Sequence, residues 1–204
     1  TTAKYGSSGG IISVVLSGST VHIRNTVNEG NVYSGLDSTG IVDTDSANGF
    51  VAGGFVSISE GVLTIENSEN KGDVTRYGSK LRGCAGGFLG YVGTEGVYVS
   101  QPSKVTISGS VNRGHVEAYR LSGGFVGKQI RGTINITSSI KEGKIGSDSA
   151  LYVHNAGFIA YTDGAVVLDG VVNKRDLQGF YVGGLIAEAA STYKIYNSVN
   201  EGNI

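Results

Sequence analysis

The sequence contains no Met and no Trp, and only one Cys and one Pro among its 204 residues. A lone cysteine, Cys84, excludes an intramolecular disulfide and a cysteine-based zinc site, and it is expected to be a buried, inert thiol packing like a small hydrophobe. One Pro beside 34 Gly excludes collagen, which needs Gly at every third position together with abundant Pro. No apolar run approaches the ~20 residues that cross a bilayer, so this segment is expected not to insert into a membrane. Charge of one sign is also missing: 16 basic and 17 acidic residues leave a formal net charge of -1, without the basic footprint that nucleic acid or an anionic membrane would require. The chain opens at Thr1 and, having no Met, reads as a processed or excised chain from which any signal peptide is already gone. Helical signals are absent as well, since no segment combines caps with a 3.6-residue apolar period.

What the chain does have is Gly and a 39% share of hydrophobic residues, too many for a disordered linker. A Gly-Gly-apolar-apolar element recurs six times, starting at Gly9, Gly53, Gly86, Gly123, Ala156 and Gly183. A second element follows each copy: Asn25 to Val32, Asn67 to Val74, Gly109 to Val116, Ser138 to Ile145, Gly170 to Leu177 and Asn197 to Ile204. Just ahead of it lies a short stretch such as Leu63-Thr64-Ile65 or Val105-Thr106-Ile107, whose period of two marks a strand with one buried face. The copies start 44, 33, 37, 33 and 27 residues apart, which divides one domain into repeats at about 9–52, 53–85, 86–122, 123–155, 156–182 and 183–204. A repeat of this size cannot bury its own apolar face, whereas stacked copies share a continuous core. The expected fold is therefore all-β, a parallel β-solenoid of about six coils. A propeller or another β fold is the alternative, and a spacing of 27 residues is short for a four-stranded blade.

Stacking predicts columns of compatible residues, because parallel strands set equivalent positions about 4.8 Å apart. One column reads Asn28, Asn70, Asn112, Lys141, Asn173, Asn200, so five of its six members can join an amide ladder. Beside it, Glu29, Lys71, Arg113, Glu142, Lys174 and Glu201 alternate in charge except where Lys71 meets Arg113. A third column holds Gly30, Gly72, Gly114, Gly143 and Gly202, expected for a turn that needs positive φ, with Arg175 as the departure and a different turn shape expected there.

The Gly-Gly-Phe-Val-Gly element at Gly123 to Gly127, followed by an Asn-x-Gly turn, resembles the GLUG-type repeat of bacterial and protist surface proteins. The likeness spans nearly the whole chain, although Ser13, Ser57, Ala160 and Ala187 replace the last Gly by other small residues. It implies a secreted or surface-displayed repeat region, as a module of a long adhesin or an accessory segment beside a protease domain.

Sequence signals for chemistry are sparse. Asp43 to Gly49 is the most acidic loop, yet its spacing does not fit an EF-hand; with Asp43 and Asp45 it is taken as a candidate binding surface on the longest inter-element stretch. Tyr33, Tyr77, Tyr119 and Tyr181 each follow a turn element by one to four residues, and they are expected to line one edge, either in packing or as a stripe for sugar or protein contact. Asp163 and Glu188 are the nearest carboxylate pair for glycoside cleavage but fall in different columns, so no catalytic residue is assigned. His22, His115 and His154 occupy different repeats and slots, so surface or edge positions are expected and neither a metal nor a cofactor is implied. The outward column His22, Thr64, Thr106, Asn135, Val167, Lys194 is too irregular for ice binding, and Asn135-Ile136-Thr137 is the one glycosylation sequon.

These features lead to a non-enzymatic structural or adhesive extracellular module of a larger surface protein, meeting protein or glycan at a cell surface. Two alternatives stay open: a filament or surface-layer subunit that contacts other copies of itself through its ends, where Glu201 would face Glu29, and a carbohydrate-binding module using the Tyr edge.

Overall fold

A computed structural model describes residues 2–3, 6–35, 50–77, 83–93, 102–146 and 153–204. Among these residues the regular elements are all β-strands, and the strands join into parallel sheets. The Gly-Gly element opens the first sheet, whose six strands Ser8–Gly9, Val51–Gly53, Cys84–Gly86, Leu121–Gly123, His154–Ala156 and Tyr181–Gly183 neighbour one another in chain order. The Asn-containing pairs Val27–Asn28, Glu69–Asn70, Val111–Asn112, Ile140–Lys141, Val172–Asn173 and Val199–Asn200 form a second six-stranded sheet, also in chain order.

The largest sheet has ten strands because two short strands per repeat become one long strand in two repeats. Val56–Ser59 and Val62–Glu66 are separate, whereas Val126–Thr137 and Ile159–Asp169 run through. Their pairing slips between Ile130 and Thr133, where Arg131 and Gly132 adopt φ of 63° and 74°. A bulge thus replaces the corner that other repeats make with a turn. The fourth sheet, Thr2–Ala3, Val32–Ser34, Val74–Arg76 and Val116–Ala118, stops after four strands, with a single bridge from Val116 to Ile145 beyond it.

Alternation places β-branched and aliphatic residues inward. Leu63, Val105, Ile134 and Val166, with Ile65, Ile107, Ile136 and Leu168, are buried in register. Phe55, Phe88, Phe125 and Phe158, from the Gly-Gly-Phe element, stack through this core with centroids 4.7, 4.8 and 4.6 Å apart. Gly54 shows why the element needs its second Gly: a Cβ there would lie 2.0 Å from the carbonyl oxygen of Gly87 in the adjacent strand.

The turn glycines require a correction. Gly30, Gly72, Gly114, Gly143 and Gly202 are not among the positive-φ residues. Close approach is what demands glycine: a Cβ on Gly72, Gly114 or Gly143 would meet the carbonyl of the preceding turn glycine at 2.0–2.1 Å. Positive φ falls instead on the first residue of every second element, Asn25, Asn67, Gly109, Ser138, Gly170 and Asn197, with φ between 46° and 64°. Asn and Gly are the residues that tolerate this conformation best. At Arg175 the turn does differ. Where Gly72, Gly114 and Gly143 donate to the carbonyl of the previous ladder residue, the Arg175 N–H turns to its own Asn173 Oδ1 at 3.3 Å.

Candidate functional site

Two features stand out beyond ordinary core packing: an internal polar column and an external groove. In the column, Asn28 Nδ2 donates to Asn70 Oδ1 at 2.8 Å, Asn70 Nδ2 to Asn112 Oδ1 at 2.9 Å, and Asn173 Nδ2 to Asn200 Oδ1 at 2.6 Å. The carboxamides of Asn28, Asn70, Asn173 and Asn200 also tie their own turns, as when Asn70 Nδ2 donates to the Gly72 carbonyl at 2.9 Å. Lys141 interrupts the series. It is fully buried, and both its Nζ and Asn112 Nδ2 lack a hydrogen-bond partner. Burial lowers its pKa to about 7, with Arg175 pushing the same way and Asp176 opposing. A deprotonated amine carries a lone pair, which is the acceptor that Asn112 Nδ2 is missing.

A hydroxyl column that the sequence reading overlooked runs alongside. The Thr26, Ser68 and Ser110 amides donate to the hydroxyls of Ser68, Ser110 and Ser139, each at 3.2 Å. In the charged column Lys71 pairs with Glu29 at 3.2 Å, Lys174 with Glu142 at 3.1 Å, and Arg113 also binds Glu142. The expected clash of Lys71 with Arg113 is relieved by Glu69, whose carboxylate lies 3.9 Å from Lys71 and 2.5 Å from Arg113.

The tyrosines do not form one edge. Tyr33 and Tyr77 approach with centroids 6.0 Å apart, and Tyr119 follows Ala118, the partner of Arg76, which puts it in register with Tyr77. Tyr181 belongs to the Gly-Gly sheet instead, where it pairs with His154 and packs its ring edge against the imidazole at 4.6 Å. Asp43 and Asp45 lie outside the described residues. Asn135 is half-buried between Thr106 and Val167. Cys84 is buried, with its thiol 3.1 Å from the Gly90 carbonyl. His22 is exposed and His115 half-buried, but His154 is only 7% exposed and so corrects the expectation of surface or edge histidines. Among the described residues no group of three or more His, Cys, Asp or Glu is placed to hold a metal ion.

His154 opens the external groove. Cys84, Leu121, His154 and Tyr181 pair successively in the Gly-Gly sheet, and Tyr91, Lys128, Tyr161 and Glu188 do so in the large sheet. Facing residues of the two columns form an apolar cluster separate from the main core, with Val51, Cys84, Tyr91 and Leu121 at its centre. Toward the later repeats the same groove turns polar and hollows into a cavity of about 330 Å³, lined by Arg120, Lys128, His154, Tyr161 and Glu188. His154 Nδ1 lies 3.4 Å from Glu188 Oε2 without forming a hydrogen bond. Burial depresses the His154 pKa, opposed by Glu188 and reinforced by Arg120. Burial, Asp163 and Glu188 together raise that of Tyr161, so the two carboxylates read from sequence both act on one phenol. A wider hollow of about 770 Å³ lies on another face, between Arg113, His115, Lys144, Arg175 and Asp176, near where the four-stranded sheet stops.

Comparison with protein-family models, with characterised proteins and with solved structures finds no match for this chain. No helix among the described residues is long and apolar enough to cross a membrane.

Proposed function

We propose that the chain is a parallel β-solenoid of six coils and serves as a rigid, non-enzymatic, extracellular module of a larger surface protein, structural or adhesive in role. The observation that supports this reading most is register. The six ladder residues pair in one unbroken series, from Asn28 with Asn70 through Asn173 with Asn200, and the Gly-Gly strands follow the same chain order. Uniform stacking of this kind gives stiffness and a long lateral surface, the properties a spacer or adhesive segment uses. The likeness of Gly123 to Gly127 to GLUG-type repeats of surface proteins points the same way.

Cysteine pairs test the coil. Thr64→Cys with Thr106→Cys joins positions in register, so a disulfide is expected on mild oxidation, since parallel neighbours lie within the Cα range of ~4.4–6.8 Å that a disulfide accepts. Thr64→Cys with Asn135→Cys spans two layers and is expected to stay reduced; equal cross-linking of both pairs would sink the coil. For location, an antibody against the chain is expected to stain intact producer cells, and signal confined to permeabilised cells would remove the extracellular role.

A further inference from the structure

The first and sixth repeats form the outer edges of the Gly-Gly sheet, the Asn sheet and the large sheet. Their strands pair on one side only, and an unpaired edge is a template for a further strand. Leu185, Ile186 and Ile195 continue the buried columns of Phe158, Ile159 and Leu168, yet they are half-buried or exposed. Ile11 and Ile12 do the same at the opposite edge. Gly30 indicates what covers these faces. Within one chain nothing requires glycine there: its φ is not positive, and a Cβ would meet nothing nearer than Asn28 Oδ1 at 3.9 Å. On Gly72, Gly114, Gly143 and Gly202 a Cβ would strike the carbonyl oxygen of the equivalent residue in the preceding repeat at 1.9–2.1 Å. Glycine at position 30 is what one more such carbonyl, stacked over the first repeat, would demand. The amide ladder has matching ends. Asn28 Nδ2 donates to the Gly30 carbonyl and to Asn70 Oδ1, but among the described residues no donor reaches Asn28 Oδ1. Asn200 Nδ2 donates only to the Gly202 carbonyl and keeps a second N–H.

We propose that the sixth repeat of one copy stacks on the first repeat of a second copy, head to tail and in parallel register. The columns fix that register. Asn200 Nδ2 meets Asn28 Oδ1, the Gly202 carbonyl takes the open space over Gly30, and Leu185 and Ile195 cover Ile11 and Ile23. Thr2–Ala3 fit the same arrangement. They already lie over Val32–Ser34 in the fourth sheet, and among the described residues no strand of the sixth repeat belongs to that sheet. A partner without this repeat could cover the apolar residues, but it would supply neither the ladder amide nor the turn carbonyl. The one opposed pair is Glu201 over Glu29; both are exposed, so their repulsion weakens the contact without preventing it. The interface joins two different surfaces, so it propagates into a filament. The inference rests on the coil proposed above. The cysteine pairs within one chain test that coil in a monomer, so the two readings can fail separately.

Sedimentation velocity of the full chain over a range of concentrations is expected to show species growing stepwise from the monomer. Gly30→Ala adds a methyl that touches nothing within the chain, so it should keep the parent's melting temperature and remain monomeric where the parent assembles. Glu201→Lys makes the opposed pair attractive and should strengthen assembly roughly three- to tenfold, and adding Glu29→Lys should reverse the gain. Tail-to-tail pairing would set residue 201 against its own copy, and Glu201→Lys would then bring no gain. A parent that stays monomeric at high micromolar concentration, Gly30→Ala assembling like the parent, or no gain from Glu201→Lys would each overturn the proposal. If Gly30→Ala melts lower than the parent, the Glu201→Lys result decides by itself.

Discussion

Phe55, Phe88, Phe125 and Phe158 make one interior column, and Asn28, Asn70, Asn112, Lys141, Asn173 and Asn200 make another. The aromatic column is continued at its ends by Ile11 and Leu185, whose amide and carbonyl bonds keep the same pattern as the Phe residues, and no polar atom is disturbed. The amide column changes residue once, at Lys141, and two buried nitrogens lose their partners. Dispersion has no direction, so a column held by it accepts a change of shape. A hydrogen-bonded column has a polarity, Nδ2 to Oδ1, and a protonated lysine, which has no acceptor, interrupts it.

The largest expected effect breaks the aromatic column. Phe125→Ala leaves a void between two stacked rings and is expected to cost about 3–5 kcal/mol in urea denaturation. Phe125→Leu should cost less than about 1.5 kcal/mol, given that Leu185 already fills the equivalent place. Similar losses for both would mean that ring stacking, rather than filled volume, holds this column.

Repairing the amide column should have an effect nearly as large and of opposite sign. Lys141→Asn restores both halves of the ladder, and at pH 7 it is expected to stabilise the chain by about 3 kcal/mol. The ceiling is about 5 kcal/mol, the equivalent of lowering a lysine from 10.5 to about 7. The pH dependence follows from that depressed value. Between about 7 and 10.5 the unfolded lysine binds a proton that the folded one does not, so stability of the parent chain rises with pH across this window. Below about 7 both states are protonated and the penalty is fully present. Arg175 and Asp176 are the charged groups acting on the amine, and they remain in Lys141→Asn, whose stability should be flat over the same range. A variant that keeps the parent's slope would place its origin elsewhere.

Two glycines separate contact between neighbouring strands from local backbone conformation. Gly114→Ala puts a methyl 2.0 Å from the Gly72 carbonyl and is expected to cost roughly 2–3 kcal/mol, as overpacking of a rigid neighbour does. Gly109→Ala meets only the end of the Asn67 side chain but must hold φ of 57°, for which about 1 kcal/mol is expected. Thermal melts of both variants give the order, and a reversal would mean that the left-handed conformation at Gly109 is costlier to impose on a side chain than the close approach at Gly114.

Much of this was legible in the sequence where one residue type repeats in one slot. The Asn series, the Gly-Gly-Phe element and the alternating charges are of that kind, and each has a direct counterpart in the pairing. The positive-φ corner was not, because Asn25, Asn67, Gly109, Ser138, Gly170 and Asn197 look unlike one another until their shared tolerance of that conformation is considered. The groove was further from reach. His154 lies two residues before the Gly-Gly position and Tyr161 five after it, in columns that hold different residues in each repeat, so only the fold brings them together.

The smallest effect concerns the charged column, where regular alternation on the page suggests more energy than the geometry supplies. Lys71 is 45% exposed and Glu29 74%, so water screens their 3.2 Å contact, and Lys71→Ala is expected to cost less than about 1 kcal/mol. The loss should shrink further in 1 M salt, where the screening length falls to about 3 Å. Removing Lys71 also releases Glu69 to pair with Arg113 alone, a contact already at 2.5 Å, which offsets part of the loss. Denaturation of Lys71→Ala and of Glu69→Ala at low and high salt decides between these contributions. Glu69→Ala leaves Lys71 facing Arg113 with nothing between them, so it should be the more damaging of the two, and the difference should vanish as salt rises.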